Sequence, residues 1–204
     1  MKEYKVPFGE GEDELVEKKS RFISHIYKIT TAAEANELLA ARKKEYWDAS
    51  AIVYAYVLRD GTMRFSDDGE PQGTAGMPTL EMLRKEEIND VLCITVRYFG
   101  GTKLGAGGLT RAFGKAAKMA LDAAGVAVMQ SHVKVAIDCP YNMLEVIRQR
   151  FETFEATEDN IEYGASVVFT VYMPTGRFGD FSADIIDLTN GTVHPQAGEE
   201  TMFA

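Results

Sequence analysis

The chain has 204 residues, enough for one mid-sized domain or two small ones, each able to bury a core without disulfide or metal staples. With 46% hydrophobic and 26% charged residues it falls outside the disordered, collagenous and coiled-coil classes, and no apolar run approaches the ~20 residues of a membrane-spanning helix. The net charge of -9 is unevenly spread: residues 1–130 carry 18 Lys and Arg against 19 Asp and Glu, whereas residues 131–204 carry 4 against 12. Binding to a phosphate backbone needs clustered cations, so the last third is a poor surface for it. The acidic start, MKEYKVPFGEGEDELVEKK, has no apolar h-region, and a cytoplasmic location is expected. Cys93 and Cys139 lie in apolar stretches without CxxC spacing and are expected to be reduced and structural.

After this polar leader, KKSRFISHIYKIT reads as a strand, and Thr31 with Glu34 forms a capping box before the helical stretch AEANELLAARKKEY. AIVYAYVL reads as a buried strand, turned back at Asp60-Gly61 through a type I′ hairpin into TMRFS. SDDGEPQGTAGMP is too rich in Gly, Pro and Asp for regular structure, and Pro78 suits the first turn of a helix through TLEMLRKEE. The strand VLCITVRYF then stops at Gly100-Gly101. GGTKLGAGGLTRAFGKAAKMALDAAG reads as a glycine loop entering a helix. Leu109, Ala112, Phe113, Ala116, Ala117, Ala120, Leu121 and Ala124 form its packed face, and Gly125 ends it. From about residue 131 the order is strand, helix, two strands, helix and a last strand, TVHPQAG; this βαββαβ pattern is the ferredoxin-like arrangement. The expected fold is α+β in two abutting domains, 1–130 and 131–204.

Chemistry concentrates in one basic island. The 31 residues Val91–Leu121 hold no acid and five bases, Arg97, Lys103, Arg111, Lys115 and Lys118, the last three on one helix face. Free N–H groups at a helix start, approached through Gly100, Gly101, Gly105, Gly107 and Gly108, make a phosphate cradle, although neither Walker nor GxGxxG spacing is met. The same glycines also suit a plain strand-to-helix turn. In FSDDGEPQGTAG, the carboxylates Asp67, Asp68 and Glu70 suit a cation or docking role, or ordinary turn chemistry. His25, His132 and His194 have no metal-ligand spacing, no GxSxG element is present, and neither cysteine sits in a positive setting. No catalytic residue, metal or cofactor is implied.

KSRFI at Lys19–Ile23, FSDDGEPQGTAGMP at Phe65–Pro78 and VRYFGGTKLGAGGLTRAFGKAA at Val96–Ala117 closely resemble the Impact family. The resemblance implies a first domain shaped like the second domain of a small-subunit ribosomal protein and the fourth domain of elongation factor G. It implies a ferredoxin-like second domain similar to another elongation-factor domain. Eukaryotic relatives regulate translation by competing for the activator of a kinase that phosphorylates an initiation factor. In many members a histidine follows an Asp-Ala-Ser/Thr step; here Asp48-Ala49-Ser50 is followed by Ala51, so no histidine carries over. The expected function is non-enzymatic: contact with RNA, the ribosome or translation factors through the basic Gly-rich face, a protein partner falling to the acidic second domain. Five phosphate contacts imply a log–log salt slope of about -3.5 on single strands. The alternatives are a phosphate-binding enzyme of small-molecule-kinase type, with Asp67 or Asp68 on magnesium, and a protein-docking module using the acidic loop.

Overall fold

A computed structural model describes residues 3–203. The chain forms two compact units, Tyr4–Val128 and a second from Met129 onward, and mixes helices and strands as an α+β fold.

In the first unit, β1 (Tyr4–Pro7) is followed by β2 (Gly11–Glu17) and β3 (Ser20–Lys28). The polar leader is therefore not a loop. Glu12 and Glu14 alternate with half-buried Gly11, Asp13 and Leu15, the pattern of a sheet edge with one wet face. Helix α1 (Ala32–Glu45) and strands β4 (Ala51–Val57) and β5 (Met63–Ser66) come next, then α2 (Gly76–Lys85), β6 (Val91–Tyr98) and α3 (Ala106–Ala124). The strands pair antiparallel in the order β2-β3-β6-β4-β5. Both faces are covered, which is why β4 and β6 are buried along nearly their whole length. On one side α2 and α3 bury Leu83, Leu109, Phe113, Ala117 and Leu121 against Phe22, Val53, Ala55 and Cys93. On the other, α1 places Ala35, Leu38 and Leu39 over Tyr27, Ile52, Tyr56 and Ile94. Phe22 meets Phe113 edge to face at 5.1 Å; each such buried ring contributes about 1.5–3 kcal/mol by burial.

Turn chemistry departs from expectation in two places. The β4–β5 connection is a type I turn closed by Gly61 N–H to the Leu58 carbonyl, and only Gly61 is left-handed, not Asp60. The two-residue hairpin with both central residues at positive φ lies instead between β2 and β3, on Lys18 (φ 46°) and Lys19 (φ 66°). At α1 the Thr31 hydroxyl accepts from the Glu34 N–H, but the Glu34 carboxylate reaches Thr30 rather than Thr31. Helix α2 starts at Gly76, two residues before Pro78.

In the second unit, β7 (Val126–Cys139), α4 (Leu144–Thr153), β8 (Thr157–Tyr163), β9 (Val167–Pro174), α5 (Phe178–Leu188) and β10 (Gln196–Phe203) follow the βαββαβ order. The antiparallel order β10-β7-β9-β8 is ferredoxin-like. Its core packs Ile147, Phe151, Phe181 and Ile185 on Val135, Ile137, Phe169 and Val171. The last strand begins later than TVHPQAG suggests: Val193 is buried in the core, its N–H donating to the Thr189 hydroxyl. Among the described residues no helix is long and apolar enough to cross a membrane.

Candidate nucleic-acid interface

The basic island occupies the end of β6, a loop, and α3, and the structure sorts its five cations into two groups. Arg97 belongs to a strand buried on both faces; counted in twos from Cys93, its side chain enters the α3 side of the sheet. A buried guanidinium needs a counter-charge. Glu70 supplies it, each carboxylate oxygen 2.5 Å from Nη1, with both side chains under a tenth exposed. Lys118 is held by Asp122 and lies 3.8 Å from Glu86; the Asp122 contact raises its pKa. Of the five cations expected to face outward, Arg97 is instead buried against Glu70, while Lys118 stands at the surface paired with Asp122. Lys103, Arg111 and Lys115 are exposed, and no carboxylate lies within ion-pair distance of any of them among the described residues.

A fourth cation joins them that sequence reasoning missed. Lys18, at the tip of the β2–β3 hairpin, lines a cleft of about 250 Å³ with Arg111, Lys115, Gly108, Leu15, Glu17 and Leu104. The signal available was the Lys18-Lys19 pair interrupting two alternating stretches, but the leader was not read as a strand.

The glycines serve different purposes. A Cβ on Gly100 would lie 2.0 Å from the Lys19 carbonyl carbon, so only glycine lets the end of β6 pass so close to the hairpin; its N–H donates to the Ser20 hydroxyl. Gly105 (φ 76°) is the N-cap of α3, and no side chain caps the helix. Gly101 is left-handed in the loop, and Gly107 and Gly108 fill the first turn of α3, where no acid stands. A second depression, about 320 Å³, adjoins the first across Leu104 and is lined by Glu70, Pro71, Arg97, Phe99, Lys103, Gly105, Ala106 and Leu109.

The acidic loop does not converge on a ligand. Asp67 accepts from the N–H groups of Gly73 (2.8 Å), Ala75 (3.1 Å) and Gly76 (2.8 Å), closing the loop and satisfying the start of α2. Asp68 accepts from the Ile52 N–H at 2.7 Å and sits 3.6 Å from Lys43. Glu70 faces Arg97. Main-chain donors and a buried guanidinium engage Asp67, Asp68 and Glu70, so within the fold these carboxylates serve loop closure and charge compensation. Among the described residues no three His, Cys, Asp or Glu side chains group as metal ligands.

Both cysteines and His25 are removed from solvent. Burial pushes the Cys93 thiol up to about 12 and raises that of Cys139. His25 is buried with Nδ1 3.2 Å from Glu12; desolvation, then Arg42, holds its pKa below the ordinary value. Ala51, after the Asp-Ala-Ser step, is buried and pairs with Arg97 in the β4–β6 register.

Comparison with known proteins follows this architecture. The Impact N-terminal domain profile matches residues 18–121, and that of a domain of unknown function (DUF1949) matches residues 137–192. The chain is 38% identical over 193 residues to the IMPACT family member YvyE of Bacillus subtilis, covering 94% of this chain and 89% of that one. It is 31% identical to the IMPACT family member YigZ of Escherichia coli, covering 90% and 92%. A solved structure, described as the crystal structure of a hypothetical protein, superposes with a TM-score of 0.61 at 29% identity over 98% of both chains. Profile and relatives agree over both units, and the chain belongs to the Impact family.

Proposed function

We propose that this Impact-family chain is a non-enzymatic binding protein that contacts RNA of the translation machinery through the first unit and thereby regulates translation. The observation that carries the reading is the set of four cations, Lys18, Lys103, Arg111 and Lys115, that have no carboxylate within ion-pair distance among the described residues and stand around an acid-free helix start with no side-chain cap. Charges not spent internally are the ones that release counterions on meeting phosphate. The turn and α3 hold three of them at a single cleft, so one phosphate run can meet them together.

Removing Arg97 and Lys118 lowers the expected contact count. Four contacts give a log–log salt slope of about -2.8 on single-stranded RNA, less steep than five would give. The test is co-sedimentation with ribosomal subunits and anisotropy with purified ribosomal RNA fragments across a salt series. A slope near that value supports the reading, and a flat response or no binding at low salt overturns it.

A further inference from the structure

Phe99 is the feature that phosphate contact leaves unexplained. It follows the last residue of β6, the residue is 49% exposed, and it borders the 320 Å³ depression beside Lys103 and the start of α3. An exposed phenylalanine on a loop is ordinary by itself. This one is held in place. Its N–H donates to the Ser50 hydroxyl at 3.0 Å, and its ring lies 5.6 Å from the Arg97 guanidinium carbon. That guanidinium is itself fixed by Glu70 and packs on Phe22 at 5.5 Å. The ion pair behind the ring is neutral as a unit, so it stiffens the platform without adding to the cationic surface.

The depression around the ring is mostly apolar, through Pro71, Leu104 and Leu109, with Lys103 as its exposed charge. Its volume stands at the small end of ligand pockets, room for one flat heterocycle. An aromatic platform beside a cation suits one ligand chemistry in particular: an unpaired base stacked on the ring, its phosphate held next to it. A duplex cannot supply this, since its bases are stacked on one another.

We infer that the depression is a single-nucleotide subsite, so that the RNA bound by this face is single-stranded where it crosses Phe99. The inference rests on the proposed RNA contact and adds what that contact leaves open, the strandedness of the ligand. The base lies against Phe99, its phosphate meets Lys103, and the flanking phosphates reach Arg111, Lys115 and Lys18. Trp47, 82% exposed, stands three residues before the Ser50 that anchors Phe99 and is the single tryptophan of the chain, available as an intrinsic reporter.

The experiment compares three RNAs of equal length at low salt by anisotropy, using the full chain: a single strand, the same strand with abasic riboses, and a fully paired duplex. The single strand is expected to bind about ten-fold or more tighter than the other two. Phe99→Leu is expected to lose that preference while keeping the salt slope, because no charge is removed, and Phe99→Trp is expected to retain it. Unfolding curves identify any variant that has lost its fold, and the abasic strand tests the subsite on the wild-type chain alone. Equal binding of all three RNAs with a steep salt slope overturns the subsite and leaves the phosphate contact standing. No binding of any of them at low salt overturns both.

Discussion

The two units treat their cations differently. In the second, each of the four bases is matched to an acid: Lys134 with Asp159, Arg148 with Glu158, Arg150 with Asp184 and Arg177 with Glu155. Its surplus of acid is left uncompensated, so nothing there attracts a polyanion. In the first unit, Lys18, Lys103, Arg111 and Lys115 have no ion-pair partner among the described residues although acids slightly outnumber bases. Overall charge therefore says little about what a surface binds. The useful quantity is how many charges remain after the fold has used its own.

The contrast can be broken most severely at the pair that stands on neither side of it. Glu70→Gln leaves the buried Arg97 without its counter-charge and should cost about 3–5 kcal/mol in a urea unfolding curve, whereas replacing both partners, Arg97→Met with Glu70→Leu, should recover most of that loss. Asp67→Ala strips the acceptor from three main-chain donors and should cost about 1–3 kcal/mol by the same measurement. The unmatched cations are sharpened by binding rather than stability: Arg111→Ala or Lys115→Ala should each reduce the magnitude of the salt slope by about 0.7, and Lys118→Ala, already engaged by Asp122, should leave it unchanged.

The smallest effect belongs to His25. Its folded pKa lies below the ordinary 6.5 because burial and Arg42 oppose the cation, with Glu12 and Glu45 acting the other way. The unfolded chain therefore takes up the proton first. Stability from the neutral ring is complete above about pH 6.5 and is lost as pH falls through the folded value. His25→Phe should narrow the difference in Tm between about pH 7.5 and pH 5.5, checked by calorimetry.

Periodicity carried most of the fold. The face of α3 was readable because its eight small or apolar positions keep helical spacing, and all eight are buried. The βαββαβ order was equally clear, since the central strands β7 and β9 alternate around one covered face. The leader was not, because β2 carries five charged or glycine positions and its strand character comes from pairing with β3. In the candidate site the exposed bases were visible, but whether each had a partner was not. Glu70 and Arg97 are 27 residues apart, and only the fold brings them together. The composition of β6 contained a hint: an arginine in a strand buried on both faces has to be matched internally.

The hairpin tip bears on how this protein could be made sturdier. Lys18 and Lys19 occupy backbone conformations that L-residues disfavour by about 1–2 kcal/mol each, where Asn-Gly is the relaxed choice. A redesign guided by turn preferences would install that dipeptide and raise the melting point. It would also delete the hairpin's share of the positive surface, so under the proposed RNA contact a tougher molecule at this corner would be a weaker ligand for polyanions.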